Sequence, residues 1–405
     1  MAPIACPAGF LANGVRAGIK PSGKPDLTLI RAPKGATAAA MLTRNLVRAA
    51  PLEITAKHLA ASAHDIRALL INAGCANAAT GAEGMARAER SVTLLAHRLE
   101  CSATQVLVNS TGVIGQQLPI ERIEAAIPAL VDGADAEGLV RAAEAIMTTD
   151  TRIKIVSIDA GTSSAPFRVT GIAKGAGMIH PDLAPAVPHA VPHATPHATM
   201  IVALLTDAVA APESLQAILA AACERSVHRI SIDGDTSTND AVFALASGVS
   251  GHDDRGALDE AIAEALRQLA MAIVRDGEGA KKLIHVEVTG ATDQPDALRV
   301  ARTVATSMLV RTAVAGGDAN WGRLLAAIGR SGARVDLAAV RVQADGVELY
   351  ARGGPVAITA AQRGAIFKGE HVAISIDLAL GHCRDEFFTC DLTEEYVRVN
   401  AEYTT

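Results

Sequence analysis

Aromatic side chains are scarce in this chain, with six Phe, three Tyr and one Trp in 405 residues. That removes the stacking platforms on which single-stranded nucleic acids are held. Positive charge is not in excess: 37 Lys and Arg face 43 Asp and Glu, for a net charge of −6 and no basic stripe, so no nucleic-acid partner is expected. No apolar run approaches the roughly 18 residues of a membrane helix, so no membrane partner is expected either. The opening MAPIACPAGF carries neither a basic n-region nor an apolar h-region, which argues against a secretory signal. Cysteines stand only at 6, 75, 101, 223, 383 and 390, with no CxxC pair. Scattered in this way they read as free thiols in a reducing cytoplasm.

Apolar aliphatic residues are what the chain does have. Half of it is hydrophobic, so a large core must be built from Ala, Val, Leu and Ile. The length suits roughly two to three domains, yet no linker, charge block or shift of composition separates any. Residues 27–30, 67–72, 105–108, 153–158, 200–205, 229–232 and 283–288 read as strands. So do 340–342, 347–350, 371–378 and 387–390, and residues 396–405 again alternate. Helical spacing marks 87–99, 120–127, 136–146, 212–224, 258–274, 299–307 and 359–366. Strands and helices are mixed throughout, which predicts an α/β or α+β class with layered sheets.

Several polar stretches interrupt this pattern. The strand at 67–72 runs into a Gly/Asn turn at 73–77, and the strand at 105–108 runs into NSTGVIG at 109–115. A small polar loop after a strand is a place where backbone N–H groups can meet a ligand, although a plain strand-to-helix turn looks the same. A hydroxyl cluster, MTTDT, stands at 147–151, and capping and turning the chain is its plain reading. The acidic run SIDGDTSTND at 231–240 invites a calcium loop. Counted from Asp233, position 6 is Thr238 and position 12 is Ala244 where that loop needs Gly and Glu, so the reading becomes a structured polar turn.

The chain is organised around residues 171–208. A glycine-broken turn at 171–177 carries one cation, Lys174, without the P-loop order GxxxxGK[ST]. Pro-His-Ala then recurs three times, at 188–190, 192–194 and 196–198. The prolines forbid a helix that would align His189, His193 and His197 as metal ligands, and a three-residue polyproline turn would not align a four-residue repeat. No metal site is expected there. Thr199 follows and opens the apolar run at 200–205. By itself a threonine in that place is an ordinary strand-start residue, since threonine favours strands.

These pieces together resemble one family, the ornithine acetyltransferases or bifunctional glutamate N-acetyltransferases of arginine biosynthesis. The matching text lies at 22–27, 72–81, 109–115, 147–151, 171–181, 233–240, 275–279, 318–323 and 390–405, and it spans nearly the whole chain in family order. The resemblance implies a fold like the α/β/β/α sandwich of N-terminal-nucleophile enzymes. It implies self-cleavage at Ala198–Thr199, giving chains 1–198 and 199–405 that assemble as α2β2. The sequence departs from the family's pattern at 185–198, an insert that abuts the scissile bond.

By the same resemblance Thr199 is the nucleophile, and Thr111 and Gly112 form the oxyanion hole. Thr149, Lys174, Thr199, Glu278, Asn400 and Thr405 contact substrate. The implied reaction moves acetyl from N-acetylornithine to glutamate and releases ornithine. No cofactor is implied, although some members of the family also take acetyl-CoA as a co-substrate. On charge, Lys174 suits a substrate carboxylate and Glu278 an amino group; surface ions are the other reading of both. An N-terminal threonine brings its own base, because its α-amine has a pKa of about 8 and can accept the hydroxyl proton. Two alternatives remain: an aminopeptidase or amidase of the same self-cleaving fold, and an uncleaved scaffold without activity.

Overall fold

The structure is a computed structural model and describes residues 4–186 and 200–402. Ala198, Thr199, Thr405 and the Pro-His-Ala repeat lie outside the described residues. The chain divides into two compact units. One holds the residues up to His228 with Asp235–Ile273, and the other holds Arg229–Gly234 with the residues from Val274 on. The class is the mixed α/β one expected.

The first unit is built on a nine-stranded sheet: β1 (Leu11–Val15), β2 (Leu27–Thr43), β3 (Ile66–Cys75), β4 (Val106–Val113), β5 (Lys154–Thr162), β6 (Ala165–Lys174), β7 (Leu183–Pro185), β8 (Ile201–Thr206) and β9 (Ala241–Ala246). The order is β4-β3-β2-β9-β8-β6-β5, with β1 and β7 pairing on β2. Helices α1 (Ala50–Ser62), α2 (Gly81–Leu99), α3 (Ile120–Asp132), α4 (Leu139–Ala145), α5 (Pro212–Glu224) and α6 (Arg255–Arg275) accompany it. The strand period of two decides which core each side chain joins. Along β3, Leu69 and Ile71 join one core with Leu52 and Leu59 of α1. Ala68 and Leu70 join another with Val92 and Leu95 of α2 and Ile123 of α3. A strand buried on both faces reads as a continuous apolar run, which is why 67–72 was legible.

Several expected boundaries shift. The apolar piece at 27–30 is only the start of one long strand that runs on to Thr43, with a register shift between Arg31 and Ala36. Pro51 sits in the first turn of α1, where its missing N–H costs nothing. The stretch 171–177 is not a turn as a whole. Gly171–Lys174 finishes β6, and a Cβ at Gly171 would lie 2.7 Å from Leu204 Cδ2 and 2.8 Å from Leu269 Cδ1, so both side chains would have to shift to admit one. Residues 229–232 are not a strand. Arg229 ends a single 3-10 turn, and the stretch makes one isolated bridge, Ile230 to Phe388. The polar run 231–240 is irregular, as expected, and leads into β9, a fully buried central strand.

The second unit carries a six-stranded sheet in the order β13-β12-β11-β14-β10-β15. Its strands are β10 (Leu283–Ala291), β11 (Arg341–Ala344), β12 (Val347–Ala351), β13 (Gly354–Pro355), β14 (His371–Asp377) and β15 (Cys383–Cys390). Helices α7 (Gln294–Ala305), α8 (Met308–Gly316), α9 (Trp321–Gly329), α10 (Ala360–Ala365) and α11 (Glu394–Glu402) complete it. Val300 and Val304 of α7 and Leu324 and Ile328 of α9 pack on Ile284, Val286 and Ile374 of the sheet. The alternation at 396–405 does not give a strand; the described part is α11, whose exposed positions leave no second face to pair. Within the stretch 318–323 Asn320 caps α9 by accepting the Arg323 amide at 3.1 Å, so the chain is helical from Trp321. Among the described residues no helix is long and apolar enough to cross a membrane, and all six cysteines are unpaired.

Candidate active site

The candidate oxyanion residues lie in a strand, not in the loop that the sequence suggested. Strand β4 continues through Asn109, Ser110, Thr111 and Gly112 because β3 pairs with it in parallel, Asn72 with Ser110, Ala73 with Thr111 and Gly74 with Gly112. Such polar residues are tolerated in a buried strand only if their side chains are satisfied. Ser110 Oγ donates to Asn72 Oδ1 at 2.6 Å, and Asn72 Nδ2 donates to the Cys75 carbonyl at 2.8 Å. Asn109 Nδ2 donates to the Asn239 carbonyl at 3.0 Å. Asn239 Nδ2 in turn donates to the carbonyls of Ala76 and Ser110 at 2.7 and 2.9 Å. Asn239 was not singled out from sequence. The signal available was an amide residue in a hydroxyl-rich run just ahead of an apolar strand.

Gly112 adopts φ +129°, and a Cβ there would lie 2.3 Å from the Gly74 carbonyl carbon. Only glycine lets the two strand ends close up in this way. Beside it Thr111 is fully buried, and its Oγ1 accepts from Lys174 Nζ at 3.2 Å. The hydroxyl therefore keeps its own proton to donate elsewhere. Lys174 is only 2% exposed, so the surface-ion reading of this residue is set aside. It is the last residue of β6 and pairs with Ile201, the first of β8.

A buried ammonium needs a compensating charge. Asp150 supplies it. Its Oδ1 accepts from Lys154 Nζ at 2.7 Å and from the Gly175 amide at 2.6 Å, and its Oδ2 accepts from the Thr148 amide at 2.9 Å. Burial pushes the carboxyl pKa up, but Lys174 and then Lys154 outweigh it, aided by the Gly175 amide, and hold it down at about 2. The cluster at 147–151 is thus more than a cap. Thr149 sits half-buried in the turn that presents Asp150. Asp150 and Lys154 were missed as site residues; their i, i+4 spacing beside an apolar strand was the only sequence trace.

The strand β8 starts one residue after Met200, whose backbone is held at both ends. Its N–H donates to the Asp240 carboxylate, and its carbonyl accepts the Ala241 amide at 2.9 Å. The structure therefore brings Thr111, Gly112, Lys174 and the Thr149 turn together in the first unit, around the end of the strand that Thr199 precedes in sequence. In the second unit Asn400 Nδ2, on α11, donates to Glu278 Oε2 at 2.8 Å. The Glu278 turn is tied to the start of α11: Thr393 Oγ1 donates to the Gly279 carbonyl at 2.7 Å, and a Cβ on Gly279 would lie 2.4 Å from the Tyr396 nitrogen. Among the described residues no three of His, Cys, Asp and Glu converge as metal ligands would.

Comparison with known proteins adds the following. The ArgJ family model matches residues 11–405. The arginine biosynthesis bifunctional protein ArgJ of Parasynechococcus marenigrum is 42% identical over 405 residues, covering 99% of this chain and 95% of that one. Its counterpart from Thermus thermophilus is 42% identical over 402 residues, covering 99% of this chain and 100% of that one. Among solved structures, the arginine biosynthesis bifunctional protein ArgJ of Bacillus halodurans shows 39% identity and a TM-score of 0.47, with 49% of this chain and 96% of that chain covered. With the family model matched from residue 11 to residue 405, and relatives this similar along their whole length, the chain belongs to the ArgJ family.

Proposed function

We propose that this protein is an acetyltransferase of arginine biosynthesis, which moves the acetyl group of N-acetylornithine to glutamate through an ester on Thr199. The observation that supports it most is the buried Thr111–Lys174 contact at the head of β8, because the chain enters that strand two residues after Thr199. In this reading the precursor first cuts itself. Thr199 Oγ attacks the Ala198 carbonyl, the amide shifts to an ester, and water opens the ester to leave a free α-amine on Thr199. That amine then takes the hydroxyl proton as Oγ attacks the N-acetyl carbonyl.

The negative charge that develops on the carbonyl oxygen needs donors already in place. The Thr111 hydroxyl and the Gly112 amide fill that role. Collapse breaks the C–N bond, the proton passes from the α-ammonium to the leaving amine, and ornithine departs. Glutamate's amine attacks the acetyl ester in a second, mirrored step. Lys174 and Thr149 are assigned to substrate binding beside the nucleophile. Glu278, Asn400 and Thr405 are assigned to substrate as well, with the carboxylate of Glu278 suited to an amino group.

No cofactor takes part in these steps. Acetyl-CoA is proposed only as an alternative acetyl donor, and incubation with glutamate and acetyl-CoA alone decides whether it serves. We place the protein in the cytoplasm, with its two chains held together as an α2β2 particle. The decisive experiment is N-terminal sequencing of the smaller fragment. A terminus of Thr-Met-Ile-Val, no cleavage in Thr199→Ala and retained cleavage in Thr199→Ser are expected. A terminus of Thr-Pro-His-Ala, beginning at Thr195, or a single uncut chain would refute the assignment.

A further inference from the structure

A second lysine reaches the same strand ends and has no part in the reading above. The loop before β2 is fixed by Asp26, which is fully buried and accepts the amides of Ala17, Ile19 and Lys20 at 2.6, 2.5 and 2.8 Å. From this loop the Lys20 ammonium donates to the Pro25 carbonyl at 2.6 Å and to the Ala145 carbonyl at 3.0 Å. Ala145 ends α4, so the cation also sits at the negative end of that helix, just ahead of the Thr149–Asp150 turn. The stem of Lys20 crosses β3 at Gly74, where a Cβ would lie 3.1 Å from Lys20 Cγ. Gly74 is the partner of Gly112. Lys20 therefore touches the end of β3 that pairs with the oxyanion residues of β4, and the helix end that leads into Thr149.

Resting on the acetyl-transfer reading, we propose that Lys20 is a positioning and specificity-determining residue, which fixes these two backbone ends and adds a positive field that favours an acceptor bearing a carboxylate. The charged groups around it are few. Asp26 and Asp150 favour its charged form, and Lys174 and Lys24 oppose it. Burial is the largest influence, and the ammonium pKa is lowered to about 8. Above that pH the side chain becomes neutral and the field weakens. Binding of an anionic acceptor should therefore weaken as pH rises through about 8. The α-amine of Thr199, with its ordinary pKa also near 8, acts in the opposite sense on turnover, since its neutral form is the base. The two effects separate because one changes acceptor binding and the other changes kcat.

The test measures glutamate binding to the full protein by calorimetry with no acetyl donor present, from about pH 7 to 9, in the wild type, Lys20→Met and Lys20→Arg. Lys20→Met keeps the stem over Gly74 and removes the charge. It should weaken glutamate binding on the order of tenfold near pH 7, the effect of one partly screened charge, and should flatten the pH dependence. Lys20→Arg should bind glutamate nearly as well as the wild type near pH 7 and should also lose the fall above pH 8, because a guanidinium stays charged. Equal binding and equal pH dependence in the wild type and Lys20→Met would overturn the proposal. So would equal weakening in both variants, or a wild type that does not bind glutamate. So would a wild type whose binding does not fall above pH 8, since a purely structural tether survives as a neutral amine donating to the same carbonyls. If glutamate binds as described but no acetyl moves from N-acetylornithine, the acetyl-transfer reading fails and the role of Lys20 stands.

Discussion

Replacing Asp150 with Asn tests the electrostatic centre of the site. The carboxylate has almost no exposed surface and faces three donors: Lys154 Nζ, the Gly175 amide and the Thr148 amide. An asparagine presents one acceptor oxygen and one NH2 group, so at least one donor would meet another donor. It would also leave the ammonium groups of Lys154 and Lys174 buried without the charge that compensates them. Two estimates give the size. The carboxyl lies near 2 where its ordinary value is 3.8, and a shift of that size corresponds to about 2 kcal/mol of preference for the folded state. Breaking a buried ion pair from one side typically costs roughly 3–5 kcal/mol, because the remaining charge is stranded. The second estimate is larger since it includes the stranded lysine, and it is the one that applies to Asp150→Asn. Equilibrium urea unfolding at matched protein concentration should show a loss of about 3 kcal/mol or more at pH 7. Because the folded pKa is depressed, the carboxylate's contribution is fully present above about pH 4 and disappears as pH falls through about 2. The gap between wild type and variant should therefore narrow in acid. A variant within about 1 kcal/mol of the wild type at pH 7, or a gap that does not change with pH, would refute this account.

Two further outcomes follow from the proposed function. Thr111→Ala should slow acetyl transfer on the order of a hundred- to a thousand-fold in a folded protein, as loss of one oxyanion donor typically does; unchanged single-turnover rates would remove Thr111 from the site. Native mass measurement of the purified protein should give two copies each of fragments 1–198 and 199–405, and separate fragments or a single unpaired heterodimer would count against that assembly.

The legibility of the sequence differed by element for physical reasons. Strands buried on both faces, such as β3 and β8, are continuous apolar runs and stood out. Helix α5 was legible at both ends, because Pro212 fits its first turn and the apolar spacing stops at Glu224. Helix α1 was missed because polarity and burial do not coincide along it: Thr55 and Ser62 are buried while Ala60 and Ala61 are exposed. The end of β4 was mistaken for a loop because Asn, Ser, Thr and Gly ordinarily leave strands. There tertiary hydrogen bonds to Asn72 and Asn239 override that preference, and the partners are 38 and about 130 residues away. At the candidate site Lys174 stood out as a lone cation in a glycine-broken stretch, but its charge alone left a surface ion as the other reading, and its burial against Thr111 comes from tertiary structure. The site was not legible where the chemistry lies in pairing, as for Asp150 with Lys154 and Lys174.

The order of strands bears on what self-cleavage would do to the molecule. Strand β8 lies between β6, which precedes the proposed cut, and β9, which follows it, and β9 pairs in turn with β2 from the first part of the chain. A cut at Ala198–Thr199 would thus place two strands of the second fragment inside a sheet otherwise formed by the first. Each residue of β8 pairs with one on β6, Ile201 with Lys174 through Thr206 with Val169, and with one on β9. All six of its residues are buried, including Ile201, Val202, Leu204 and Leu205. At about 1.5–3 kcal/mol for each large aliphatic side chain, exposing those four alone would cost about 6–12 kcal/mol, before any hydrogen bond is counted. That exceeds what the freed chain ends could recover locally. Cleavage would therefore change the chemistry at Thr199, by creating an α-amine, while the sheet that holds Lys174 opposite Ile201 stays closed. The same packing means that a cut here needs no later assembly step to complete the first unit, because the fragments are already interleaved when the bond opens.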